Sequence, residues 1–281
     1  MTSRPPASGT STPSTVQALS DTATVSALSN KAAVGDLSES NQAGHSLAGR
    51  TAVVTGATRG IGQAIALRLC AMGARVIATG RQPQGAAPAG CEYRAVDFED
   101  SPATDSFAQT LAELAPDILV NNAGVNRLGP AAELSQADYE RLYRINVLAP
   151  IALSRAVVPA MRQRRWGRII QITSIWSLRS ISGRAAYSAS KFGLDGFSAA
   201  LAAEVAADGI LVNCVSPGFV DTELLRRVNT PEQIAALVAQ VPMRRLAQAH
   251  EIAAFVAWLA SPDNSYISGQ NLPIDGGYTR T

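Results

Sequence analysis

The chain has 281 residues, 47% of them hydrophobic, and a formal net charge of +2. That length suits one large α/β domain with a well-buried core, and the balanced charge gives no footprint for nucleic acid or a membrane surface. No uninterrupted apolar run is long enough to cross a bilayer. Cys70, Cys91 and Cys214 are far apart in sequence and form no C-x-x-C pair, which reads as reduced, mostly buried thiols of a cytoplasmic protein. Neither His45 nor His250 has metal-ligand spacing around it, so no metal site is assigned.

Residues 1–46 stand apart. They are about one-third Ser and Thr and hold no aromatic residue, a composition that does not build a core. A flexible tail is expected there, with a short helical stretch around Val16–Leu28. No apolar segment of signal-peptide type follows the start. Arg4 and Lys31 are offset by Asp21, Asp36 and Glu39, so a transit peptide does not fit either.

Order is expected from Leu47 to the end, as one domain over residues 47–281. Thr51–Thr55 is an apolar run ended by Gly56, the pattern of a buried strand. Gly60–Met72 carries apolar residues at helical spacing and is closed by Gly73. Strands follow at Ala74–Thr79, Cys91–Val96 and Asp117–Asn121, with a helix over Pro102–Leu114. A long helix fits Gln136–Arg164, then a strand at Arg168–Thr173, a helix over Ala185–Ala207 and a strand at Ile210–Val215. Helices at Pro231–Val241 and His250–Leu259 precede a last strand at Asn271–Ile274. Strands alternating with helices predict a doubly wound parallel sheet of Rossmann type with helices on both faces, and a ligand at the carboxyl ends of the strands.

Two stretches carry chemistry. Thr55-Gly-Ala-Thr-Arg-Gly-Ile-Gly62 lies between the first strand and the first helix. Glycines at 56, 60 and 62 permit a tight turn and let backbone N–H groups approach a pyrophosphate at a helix N-terminus. A glycine-rich turn alone is weak evidence; the strand before it and the helix after it give it meaning. Tyr187 and Lys191 are four residues apart in an Ala- and Ser-rich run, so on a helix their side chains stack on one face, roughly 5–6 Å apart at Cβ. An ammonium beside a phenol favours the phenolate and tunes the pair toward proton transfer. Ser174, at the end of the preceding strand, is placed to hydrogen-bond the oxygen that Tyr187 protonates.

T-G-x-x-x-G-x-G at Thr55–Gly62, N-N-A-G at Asn121–Gly124, Asn146, Ser174, Y-x-x-x-K at Tyr187–Lys191 and P-G at Pro217–Gly218 together resemble the short-chain dehydrogenase/reductase family. The likeness spans about Leu47 to Tyr278. It is strongest to members that reduce 3-oxoacyl thioesters of acyl-carrier protein, through Pro217–Thr222, Ala239–Leu246 and Tyr266–Gln270. The resemblance implies that Tyr187 is the general acid in reduction and the base in oxidation. It makes Lys191 hold the nicotinamide ribose and lower the Tyr187 pKa, and makes Ser174 polarise the carbonyl. Asn146 would sit in a local break of the long helix and hold a water in a proton relay to Lys191. Gly56, Thr58, Arg59, Gly60, Ile61 and Gly62 would wrap the cofactor phosphates, and Asp97 with Phe98 would flank the adenine. Asn121, Asn122, Ala123 and Gly124 would line the cleft. Pro217, Gly218, Val220 and Thr222 would contact the nicotinamide end.

Coenzyme choice follows from charge. An acid at the end of the second strand would bind a ribose 2′-OH and repel a 2′-phosphate. Here Gly80 stands at that position and Arg81 follows, with Arg59 as a second guanidinium, so NADP(H) is favoured over NAD(H). The substrate is a small carbonyl or hydroxyl compound, with a 3-oxoacyl thioester as the leading reading. Arg165 matches a basic position that the carrier-protein reductases use, whereas a second such position is Asp208 here, with the charge reversed. A dehydrogenase of a sugar, polyol or secondary-metabolite hydroxyl is the alternative, and a catalytically silent cofactor-sensing partner is a third reading that the intact Asn146–Ser174–Tyr187–Lys191 set opposes. Helices 136–164 and 185–207 carry apolar residues beyond one face, among them Phe192, Leu194, Phe197, Leu201 and Val205. In the resembled family these helices pair across a two-fold axis, so a homotetramer is expected.

Overall fold

The computed structural model describes residues 46–281, so the expected tail, with its helical stretch at 16–28, lies outside the described residues. Strands β1 Thr51–Val54, β2 Arg75–Gly80, β3 Glu92–Ala95, β4 Ile118–Asn121, β5 Gly167–Ile172, β6 Ile210–Pro217 and β9 Asn271–Ile274 form one sheet in the order β3-β2-β1-β4-β5-β6-β9. Every pairing in it is parallel. The helices are α1 Gly60–Ala71, α2 Ser101–Leu114, α3 Gln136–Tyr143, α4 Ala149–Arg164, α5 Ala185–Val205, α6 Glu223–Val228, α7 Pro231–Gln240 and α8 Ala249–Ala260.

Strand alternation divides the apolar residues between two cores. Val54, Ile118, Val120 and Ile170 face α1 and α8, joined by Ile65, Leu69, Ile252 and Val256. Val53, Leu119, Ile169 and Val212 point the other way, onto Phe107, Leu111, Leu153, Val157, Met161 and Leu201 of α2, α4 and α5. Successive side chains of a strand leave on opposite faces, so a strand covered on both sides reads as an unbroken apolar run. Each fully buried Val, Leu or Ile contributes about 1.5–3 kcal/mol. The strands expected from such runs are all present.

The long helix is not continuous. Between α3 and α4 a π-helical turn spans Arg144–Leu148, with the Ala149 N–H donating to Arg144 O. Pro150 explains the break: it has no N–H to give the carbonyl four residues earlier, which is that of Asn146. By length and composition the whole Gln136–Arg164 stretch is long enough to cross a membrane, but 56% of its most apolar window is buried within this fold. It is a core helix, packed on α2 and the sheet.

Two features lie outside the sequence expectation. β7 Val220–Asp221 and β8 Ala247–Gln248 pair in parallel as a separate small sheet, and the intervening excursion carries α6 and α7. Thr222 caps α6 by accepting from Leu225 N, and Thr230 with Gln233 forms a capping box on α7. Cys70 and Cys91, distant in sequence, meet with their Sγ atoms 3.2 Å apart, and both thiols are only partly buried. Of the three expected buried thiols, Cys214 is buried.

Candidate active site

The glycine loop turns between β1 and α1 where side chains have no room. Gly56 has φ +63° and Gly60 φ +58°, both left-handed, and a Cβ on Gly56 would sit 2.9 Å from Ala123 Cα. Gly62 is helical but packed so tightly that a Cβ would lie 2.5 Å from Gly56 O and closer still to Asn122 Nδ2. Asn122 fastens the loop, donating from Nδ2 to Thr55 O at 2.9 Å and Gly56 O at 3.0 Å. Thr55 Oγ1 in turn accepts from the N–H groups of Asn122 and Ala123, each at 2.9 Å. The T-G and N-N-A-G motifs are thus one hydrogen-bonded unit joining the ends of β1 and β4. Replacing Gly62 by Ala should displace Asn122, abolish measurable coenzyme binding in a fluorescence titration, and lower Tm by several degrees.

α1 begins without a side-chain cap and with no acid in its first turn. Its free N–H groups and positive dipole end therefore face the loop, a ready site for an anion. A cleft of about 640 Å³ opens there. Of the expected cofactor residues, Gly56, Thr58, Arg59, Gly60, Ile61 and Gly62 line it on the loop side. Arg81, Asp97 and Phe98 line it beyond β2 and β3, and Asn122, Ala123, Gly124 and Thr222 complete the wall. The glycine cradle, the uncapped helix end and the cleft fit a dinucleotide. Arg59 and Arg81 are exposed on this wall and form no ion pair among the described residues. Tyr93, Val96, Val125 and Arg141 also line the cleft and were not expected. Val96 follows β3 directly and Val125 comes four residues after β4, so the rule that ligands sit at strand carboxyl ends reaches them.

Six expected cofactor residues do not line this cleft: Tyr187 and Lys191, described below, and Asn121, Pro217, Gly218 and Val220. Asn121 is buried and turns away from the cleft, donating from Nδ2 to Ser154 Oγ at 3.3 Å on α4. Pro217 ends β6 opposite Ile274, Gly218 N donates to Ile274 O at 2.9 Å, and Val220 is packed in the core.

The second half of the site is built on β5 and α5. Lys191 is buried, and its Nζ donates to Ile172 O at 2.9 Å, at the carboxyl end of β5. Its ammonium stands 5.7 Å from the Tyr187 ring centroid, as the four-residue spacing demands. Burial pulls Lys191 down to about 8, with Cys214 acting weakly in the opposite direction. Burial pushes the Tyr187 phenol upward, while the Ser174 hydroxyl and the Arg184 guanidinium draw it down. Lys191 is not among the groups that act on the Tyr187 phenol here. The downward pull comes from Ser174 and Arg184, and desolvation of the partly buried phenol outweighs it.

Asn146 is fully buried inside the π turn. Its side chain is committed: Oδ1 accepts from Val125 N at 2.9 Å, and Nδ2 donates to Val125 O at 2.9 Å and Ser190 Oγ at 3.1 Å. Ser190 Oγ passes this on to Tyr187 O at 2.7 Å. Asn146 thus ties the segment after β4 to the helical turn that carries Tyr187. Gly124 joins the two halves, since a Cβ there would lie 3.3 Å from Asn146 Oδ1 and 3.6 Å from Lys191 Nζ. Ser174 follows β5 and caps the short turn Ile175–Ser177, its Oγ accepting from Trp176 N at 3.3 Å. Its backbone carbonyl accepts from Ser177 Oγ at 2.6 Å and Ser216 Oγ at 2.9 Å. These two hydroxyls position Ser174 and carry no motif by which the sequence alone would mark them.

A parallel doubly wound sheet with a glycine cradle after its first strand is the architecture of dinucleotide-binding oxidoreductases. Residues 56–279 match the family described as Enoyl-(Acyl carrier protein) reductase. The chain is 41% identical over 244 residues to the 3-oxoacyl-[acyl-carrier-protein] reductase FabG of Pseudomonas aeruginosa, covering 83% of this chain and 98% of that one. Among solved structures, a gluconate 5-dehydrogenase from Burkholderia cenocepacia in complex with NADP and tartrate superposes with a TM-score of 0.80 at 29% identity, covering 86% of this chain and 99% of that one. The Pseudomonas aeruginosa RhlG/NADP active-site complex gives 0.77 at 32% identity, covering 84% and 98%. The chain belongs to the short-chain dehydrogenase/reductase family, and it is an oxidoreductase.

Proposed function

We propose that this protein is an NADP(H)-dependent oxidoreductase that interconverts a ketone and its secondary alcohol. The observation that carries this is the joining, through Gly124, of a dinucleotide-shaped cleft to buried Lys191 and its partly buried neighbour Tyr187. When bound, the coenzyme supplies or accepts the hydride. Gly56, Gly60, Gly62 and the α1 N-terminus hold its phosphates, Arg59 and Arg81 hold a 2′-phosphate, and Lys191 holds the ribose. In reduction Tyr187 gives its proton to the carbonyl oxygen and Ser174 hydrogen-bonds the same oxygen. A phenol held above its ordinary value is fully protonated at neutral pH, the form an acid requires. Lys191, at about 8, replenishes that proton with Asn146 and its water behind it.

The likeness to the carrier-protein reductases supports a 3-oxoacyl thioester as substrate. A specific observation favours the second reading, a small free hydroxy or keto compound such as a sugar acid or polyol. Arg162 Nε lies 2.8 Å from Asp208 Oδ2, so one cation of the basic patch an acidic carrier would need is paired internally, and Asp208 also stands 4.0 Å from exposed Arg165 Nη1. The test is coenzyme turnover against acetoacetyl thioesters, ketogluconate and quinones, with NADPH and NADH. Turnover of at least one ketone, faster with NADPH, is expected; no turnover across the panel overturns the reading.

The protein is also proposed to be a cytoplasmic homotetramer. Leu148 is 56% exposed and Phe192 45% exposed on the outer faces of the π turn and α5, where a second copy would cover them. Light scattering at micromolar concentration should give four chain masses, and a monomer would refute it.

A further inference from the structure

Beside Tyr187 stands a guanidinium that the reaction described above does not use. Arg184 is the residue before α5 and three positions before Tyr187, so their side chains share one end of the helix. Its Cζ lies 5.2 Å from the Trp176 ring centroid. Trp176, Phe219 and Tyr278 form an edge-to-face aromatic floor, with centroids 5.0–6.5 Å apart, and Tyr187 packs against it. Arg184 is half-buried, and among the described residues its side chain forms no ion pair and no hydrogen bond. Its charge interactions are with the Tyr187 and Tyr278 hydroxyls, neither of them an anion at neutral pH. Arg179, the other cation on this floor, is engaged: its Nη1 donates to Tyr278 O at 3.5 Å and Thr281 O at 3.4 Å. Asp275, the acid nearest in sequence to Tyr278, is committed to Gly277 N, Thr279 N and Thr279 Oγ1.

Arg184 is only partly covered, and its N–H donors, which have no acceptor among the described residues, are available to a ligand. The planar fork of Arg suits a carboxylate better than any neutral group. We infer that Arg184 binds a carboxylate of the substrate, so that the substrate is a short keto acid or the corresponding hydroxy acid. The inference rests on the oxidoreductase reading and narrows it. A carboxylate on Arg184 would stand beside Tyr187, the proton donor to the ketone, three positions along the same helix end.

The test uses matched pairs, acetoacetate and levulinate with their methyl esters, in the wild type, Arg184→Gln and Arg184→Lys. The wild type should prefer each acid to its ester in kcat/KM. Arg184→Gln should reduce that acid-over-ester preference about ten- to hundred-fold, the effect of one charged hydrogen bond; the ratio cancels any change that reaches both substrates through Tyr187. Arg184→Lys should keep part of the preference. A second arm avoids catalysis altogether: levulinate is titrated calorimetrically into each protein saturated with NADP⁺, where no hydride is available. Weaker binding in Arg184→Gln supports the inference even if no ketone in the panel turns over, an outcome that would sink only the proposed ketone–alcohol reading. Equal binding in wild type and Arg184→Gln, or an equal fall on acids and esters, would overturn the inference and leave Arg184 a packing residue on Trp176.

Discussion

Tyr187→Phe should lower kcat by at least about 10²–10⁴-fold, the range for loss of a positioned general acid, while coenzyme binding is unchanged. The substitution removes one hydroxyl. It leaves the ring on the aromatic floor, and the Ser190 contact runs to the backbone of residue 187, which is unaffected. The measurement is single-turnover reduction beside a fluorescence titration of the coenzyme. Retention of most activity with intact binding would remove Tyr187 from proton transfer. The pH profile offers an independent check. Tyr187 is held above its ordinary value near 10 and so stays protonated through the neutral range. Lys191 loses its proton as pH rises through about 8. Reduction, which needs the relay loaded, should therefore decline above pH 8, and oxidation, which needs it empty, should rise over the same interval. Lys191→Met should remove that transition from both profiles.

The sheet was legible because its strands are short apolar runs punctuated by glycine, and burial on both faces leaves nothing else for such runs to do. The glycine loop was legible for a related reason: residues at 56, 60 and 62 are confined by backbone geometry and crowding that only glycine meets. The break at Asn146 was implied by the family resemblance, and the structure adds Pro150 as its backbone cause. What escaped was set by tertiary contacts. α6, at six residues, is too short to show a period, and β7 and β8 exist only because their segments meet. Asn121 lies in a motif whose neighbours line the cleft, but strand alternation sends its side chain to α4. The sign of the Tyr187 shift could not be read from Y-x-x-x-K, because it depends on how deeply the hydroxyl is buried. Ser177 and Ser216 position Ser174 through contacts that cross 42 residues of chain in one case, beyond any local pattern.

The double substitution Arg59→Ala with Arg81→Asp should reverse coenzyme preference from NADPH to NADH. The structure explains why the change belongs at 81. A Cβ on Gly80 would lie 2.5 Å from Thr58 Cγ2 and 2.7 Å from the Tyr93 hydroxyl, which donates to Gln82 O at 2.6 Å. An acid at position 80 would have to displace that packing, whereas Arg81 is exposed on the cleft wall and its replacement is free of strain. Removing one guanidinium from a phosphate forfeits about 1.5–3 kcal/mol, or roughly ten- to hundred-fold in affinity. The new carboxylate repels the 2′-phosphate and can accept from a 2′-OH, so the two coenzymes move in opposite directions. Arg59 remains in the single variant and softens the effect, which is why the double variant should discriminate more than Arg81→Asp alone. The surface exposure of both arginines means that salt screens their attraction. The wild-type preference for NADPH should therefore shrink between low and high ionic strength, while that of the double variant, with both cations gone, should change far less. The readout is kcat/KM for both coenzymes with one fixed ketone at two salt concentrations. A wild type that prefers NADH, or a ratio unchanged in the double variant, would mean that these arginines do not bind the phosphate.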